Sequence, residues 1–157
     1  MWVEIQDSLK IMRALSELIN ASKNLRSGQL ITCLQHLINE TTDGFVLNVY
    51  KHIFEKLITL YMSLLSKWIY EGVIDDKYDE FMVKIEERSH GEWTNWEERF
   101  SLRTDQIPSI LERDQQKILI TGKYLNILKA CNKEIHCPFR TDIEKNIEYH
   151  ISRQNFT

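Results

Sequence analysis

Four side chains near the C-terminal end of the sequence are of types that bind zinc: Cys131, His136, Cys137 and His150. Structural zinc sites hold a tetrahedral set of sulfur and nitrogen ligands, commonly with a Cys-x2-Cys pair. No such pair is present here, and the adjacency of His136 and Cys137 suits a tetrahedral set poorly. We therefore predict that these side chains bind no metal.

Carboxylates and a Gly-Lys pair are also present, but their spacing fits neither a calcium loop nor a phosphate loop. The cluster Asp75, Asp76, Asp79 and Glu80 lacks the glycine and the 12-residue spacing of an EF-hand, which favours a solvated turn. Gly122-Lys123 lacks the Gly-x4-Gly-Lys-Ser/Thr spacing of a phosphate loop. No nucleophile–base pair stands out either. The sequence thus predicts a protein that is not an enzyme and needs no cofactor.

Aromatic side chains are concentrated in the middle of the chain. Seven of them lie within 33 residues: Trp68, Tyr70, Tyr78, Phe81, Trp93, Trp96 and Phe100. They are interleaved with acidic rather than basic residues, which argues against a platform for nucleic acid. Two roles remain open for them, namely core packing around a loop or a protein-binding surface, where Trp and Tyr anchors are enriched.

The charge of the chain is unevenly distributed. The 157 residues have a formal net charge of −3, which provides no general basic surface for nucleic acid or anionic lipid. From Glu71 to Arg99, however, there are ten acidic and four basic residues. This acidic segment is either a solvated connection or a surface that guides docking to a basic partner. The three cysteines lack framework spacing and no signal peptide or bilayer-spanning run is present, so we expect a cytoplasmic location and no membrane partner.

Glycine and proline are scarce, at five and two residues, which favours long helices over many short strands. Apolar residues at helical spacing predict five helices. Their apolar positions are Ile5, Leu9, Met12, Leu15 and Ile19; Leu30, Leu34, Leu37 and Ile38; Val46 to Trp68, including Leu60; Ile110 to Leu128; and Ile143, Ile147 and Ile151. Residues 73–101 are irregular, with an extended stretch at Tyr78, Phe81 and Val83. We therefore expect an all-α fold, an elongated bundle of about five helices in one domain over residues 1–157, with a partly extended connecting segment at about 73–101.

Local signals also predict how these helices begin, end and pack. Asp43 is placed to accept hydrogen bonds from the first free N–H groups of the third helix. That helix is expected to stop near Tyr70, with Gly72 as its left-handed C-terminal cap. Pro108 is expected in the first turn of the fourth helix. Gly122 lies inside the fourth helix, where glycine costs roughly 1 kcal/mol relative to alanine, so we expect a neighbouring helix to approach closely there.

Three ordered blocks rich in Trp, Tyr and Pro lie between residues 68 and 126. They are Trp68-Ile-Tyr-Glu-Gly-Val-Ile-Asp-Asp-Lys-Tyr-Asp-Glu-Phe-Met-Val83, Gln106-Ile-Pro-Ser109 and Thr121-Gly-Lys-Tyr-Leu-Asn126. Together they resemble the N-terminal conserved region of the gamma-tubulin complex components, the Spc97/Spc98 family. The resemblance is dense from Trp68 to Cys131 and extends, mainly as a helix pattern, over nearly the whole chain.

This resemblance implies an architectural function. In the family, the N-terminal region forms helical bundles that make lateral contacts between neighbouring components of the assembly that nucleates microtubules. Gamma-tubulin is held by the C-terminal half, which nothing in this chain resembles. The implied partners are therefore other gamma-tubulin complex components, with gamma-tubulin reached only indirectly. The implied location is the cytoskeleton, at the microtubule-organising centre (centrosome or spindle pole).

The residues expected to make such contacts lie in the acidic, aromatic-rich segment, where we expect them to be exposed: Asp75, Asp76, Asp79, Phe81, Trp93 and Trp96. A second hypothesis is a standalone helical adaptor that binds a peptide or helix, independently of microtubules. Such an adaptor would need an open apolar groove beside the long third helix, whereas a lateral contact needs a surface patch.

Overall fold

The computed structural model describes residues 2–86 and 96–131 of the chain. These residues form four α-helices, α1 (Trp2–Ser22), α2 (Ser27–Glu40), α3 (Gly44–Glu71) and α4 (Gln115–Ala130). A small antiparallel sheet of β1 (Val83–Ile85) and β2 (Phe100–Leu102) lies between α3 and α4 in the sequence. Three 3-10 turns complete the described fold: Trp96–Arg99, Thr104–Gln106 and Ser109–Asp114. The expected all-α class is confirmed, while the expected fifth helix with Ile143, Ile147 and Ile151 lies outside the described residues.

The long helix α3 is the centre of the fold, and α1, α2 and α4 all pack against it. Its buried positions recur every three or four residues: Tyr50, Phe54, Ile58, Tyr61, Leu65 and Trp68. Burial of each such side chain contributes roughly 1.5–3 kcal/mol, so this stripe is the main source of stability. Leu60 was expected to belong to it, and that expectation is wrong. It is 68% exposed because it lies on the outer face of α3 with Lys56 and Ser63.

Both ends of α3 are formed as the sequence predicts. At its start, the Asp43 side chain accepts hydrogen bonds from the backbone N–H groups of Phe45, at 2.9 Å, and Val46, at 3.5 Å. At its end, Gly72 has φ of 61°, a left-handed conformation, and its N–H donates to the Trp68 carbonyl at 3.0 Å. Because glycine adopts positive φ without a Cβ penalty, the chain can leave the helix sharply at this residue.

Helix α1 packs against the core with a face other than its most apolar one. The residues that face the core are Ala14 and Leu18. Two contacts fix this rotation: the Tyr50 hydroxyl donates to the Ala14 carbonyl at 3.1 Å, and the Lys10 ammonium pairs with the Asp43 carboxylate at 3.1 Å. The small Ala14 side chain lets the Tyr50 ring approach the backbone. The apolar face whose spacing predicts this helix is therefore not the face that packs in the core, since four of its five members are exposed: Ile5, Leu9, Met12 and Ile19.

Helix α4 packs against the C-terminal third of α3, with its glycine at the contact. A Cβ atom placed on Gly122 would lie only 1.9 Å from a ring atom of Trp68, so the expected close approach is confirmed. The Trp68 indole N–H donates to the Ile118 carbonyl at 2.9 Å, and the Asn126 side-chain amide donates to the Gly72 carbonyl at 3.0 Å. Pro108 precedes a 3-10 turn, and the α-helix proper begins only at Gln115.

The connecting segment forms a short ladder that the sequence only partly predicts. β1 pairs with β2 in the register Val83↔Leu102 and Ile85↔Phe100. The extended stretch was expected from Tyr78, but the strand begins at Val83 because a side-chain-stabilised turn occupies residues 76–81. The ladder places Phe100 in contact with Trp68, with ring centroids 5.0 Å apart, so it covers the same end of α3 as α4 does.

Candidate interaction surfaces

Phe81, one of the six contact positions expected from the sequence, lies inside the protein. Its side chain is 1% exposed and its ring packs on Tyr61, with centroids 5.8 Å apart. The two residues that follow it, Met82 and Val83, are fully buried as well. The expectation that Phe81 is exposed is therefore wrong. The residues that lead into β1 cover the middle of α3. The Phe81 ring, just before this strand, is buried there because burial removes its apolar surface from water.

Asp76 is also removed from the surface, because its carboxylate organises the turn before β1. One oxygen accepts from the Glu80 N–H at 2.9 Å, and the other accepts from the Phe81 N–H at 2.9 Å and from the Arg103 guanidinium at 3.2 Å. The same guanidinium donates to the Phe81 carbonyl at 3.0 Å. The Asp76 side chain is 5% exposed. Its role in this structure is to tie the turn to the segment after β2, and the expectation of an exposed contact residue is wrong.

Asp75 and Asp79 remain at the surface, each with a cationic partner from the same chain. Asp75 pairs with Lys67, and this hydrogen bond lowers the pKa of the Asp75 carboxyl. Asp79 pairs with Arg103 and adopts φ of 57°, a left-handed conformation that aspartate tolerates better than most residues. Both carboxylates are accessible, but their charge is already compensated in part.

Of the two tryptophans in the expected contact set, Trp96 lies among the described residues and Trp93 does not. Trp96 is the first residue of the 3-10 turn Trp96–Arg99, which leads into β2. Trp93 lies outside the described residues. The six expected positions therefore do not form one exposed patch in the part of the chain that the structure describes.

The outer face of α1 consists mainly of the apolar residues whose spacing predicts this helix. We call the row formed by Ile5, Leu9, Met12 and Ile19 the outer stripe. Its side chains are between 51% and 67% exposed. A shallow depression of about 310 Å³ lies on this face, lined by Ile5, Ser8, Leu9 and Met12. It lies on α1 rather than beside α3, so it is not the groove that the adaptor hypothesis requires.

A sequence signal for two faces on α1 was present. The row of Ile11, Ala14 and Leu18 has helical spacing too, parallel to the outer stripe. A helix that is apolar on two sides is contacted on two sides, or leaves one side for a partner. The sequence alone does not show which of these two rows faces the core, because both contain large apolar residues. The packing of α1 on α3 decides it.

The described residues offer little for chemistry. Within 2–86 and 96–131, no three His, Cys, Asp or Glu side chains are grouped so that they could hold a metal ion. Burial raises the pKa of the Cys33 thiol, which disfavours the reactive thiolate form. In the same ranges, the helices are all too short or too polar to cross a bilayer. The accessible apolar surface of α1 is therefore the more informative feature.

Comparison with known proteins gives this helical architecture a family. The model of the family described as "Gamma tubulin complex component N-terminal" matches residues 1–156. The chain belongs to this family. Among its relatives, gamma-tubulin complex component 2 of Mus musculus is 30% identical over 154 residues, which cover 91% of this chain and 17% of that protein. Gamma-tubulin complex component 2 of Arabidopsis thaliana is 32% identical over 148 residues, covering 88% of this chain and 22% of that protein.

Component 3 relatives match as well. Gamma-tubulin complex component 3 of Homo sapiens is 29% identical over 125 residues, which cover 78% of this chain and 14% of that protein. The chain thus spans less than a quarter of the length of these relatives, within their N-terminal family region.

Proposed function

We propose that this chain is a structural module that makes lateral contacts with neighbouring gamma-tubulin complex components, in the assembly that nucleates microtubules. The observation that carries the proposal is the combination of family membership with the exposed outer stripe of α1. On this proposal the chain works at the microtubule-organising centre, has no catalytic role, and reaches gamma-tubulin only through other components.

The physical basis is the behaviour of exposed apolar surface in an otherwise well-packed bundle. Contiguous apolar patches on soluble proteins mark sites of protein contact, because their burial removes apolar area from water. When the same interface repeats around an assembly, each modest contact is reinforced by its neighbours. A module of this kind needs a stable core and an accessible face, and it needs no cofactor.

A binding experiment tests this proposal. The purified chain is captured on beads and incubated separately with component 2, with component 3 and with gamma-tubulin alone, after circular dichroism has shown that the chain is helical. We expect retention of a component and none of gamma-tubulin alone. A folded chain that retains neither component contradicts the proposal and favours the adaptor hypothesis.

A further inference from the structure

We draw no further inference here: the strongest candidate, the outer stripe of α1 formed by Ile5, Leu9, Met12 and Ile19, carries nothing beyond the proposed function, because nothing in the part of the chain that the structure describes shows what covers it.

Discussion

Replacement of Gly122 by alanine tests the packing of α4 against α3. An added Cβ would lie 1.9, 2.3 and 2.4 Å from three atoms of the Trp68 ring. Carbon atoms in ordinary contact are about 3.5–4.0 Å apart. The two helices would therefore have to separate by more than about 1 Å, or the ring would have to turn. A turned ring loses the hydrogen bond from its N–H to the Ile118 carbonyl, now 2.9 Å long.

The free energy of unfolding should fall as a result. Overpacking of this kind costs about 1–3 kcal/mol, and loss of the indole hydrogen bond adds about 1 kcal/mol. Alanine has the higher helix propensity, which offsets about 1 kcal/mol. We therefore expect Gly122→Ala to destabilise the chain by about 2 kcal/mol.

Urea unfolding followed by far-UV circular dichroism measures this difference. Gly44→Ala is the matched control, because a Cβ on Gly44, the first residue of α3, would meet nothing within 4 Å. Its free energy of unfolding should lie within about 0.5 kcal/mol of the wild-type value. A Gly122→Ala chain as stable as wild type, or more stable, would refute the close packing described here.

Three further predictions concern the turn, the helix end and the acid range. Asp76→Ala should lower the free energy of unfolding in urea by about 2–4 kcal/mol, because two backbone N–H groups and a half-buried cation lose their acceptor. The control Asp75→Ala, at an exposed position, should lower it by less than about 1 kcal/mol. Equal losses in the two variants would contradict the role of Asp76 in holding the turn. Gly72→Ala should cost about 1–2 kcal/mol or more, since alanine is strained at φ of 61°, and an unchanged midpoint would refute that backbone conformation. The hydrogen bond from Lys10 lowers the pKa of the Asp43 carboxyl in the folded state. Its stabilising contribution is therefore complete above about pH 4 and is lost as the pH falls through the lower, folded-state pKa. The melting temperature should thus fall less steeply between pH 6 and about pH 2 in Asp43→Asn than in wild type. Identical slopes in the two chains would count against the ion pair.

The helices and their ends could be predicted from the sequence because their signals are local. The Asp43 cap depends on N–H groups two and three residues away, and the Gly72 cap on the helix that it ends. Gly122 could be assigned a close neighbour because a glycine inside a helix needs a compensating contact. That neighbour is Trp68, which lies 54 residues away in the sequence. Only the fold shows that the two residues are in contact.

The surface could not be predicted in the same way. Ile5, Leu9 and Met12 look like core residues because periodicity identifies an apolar face but not what covers it. On α1, a second row with the small Ala14 fits closer to Tyr50 and takes the inner position. Asp76 and Phe81 were misassigned for a related reason.

The acidic, aromatic-rich segment owes its composition partly to the turn that it builds. Its buried carboxylate is held by Arg103, which follows β2 and is 27 residues distant. No local sequence pattern predicts the pairing of Asp76 with Arg103. The contacts that bury Asp76 and Phe81 are long-range, so residue type and charge alone placed both residues on the surface.

A chain that takes part in subunit contacts within gamma-tubulin complexes, as we propose, should interfere with the assembly of those complexes. The most direct measurement adds the purified chain in increasing amounts to component 2, component 3 and gamma-tubulin during reconstitution, and follows complex size by mass photometry. We expect the wild-type chain to compete with the full-length components and to reduce the fraction of large assemblies. Assemblies of unchanged size at a large excess of folded wild-type chain would contradict it.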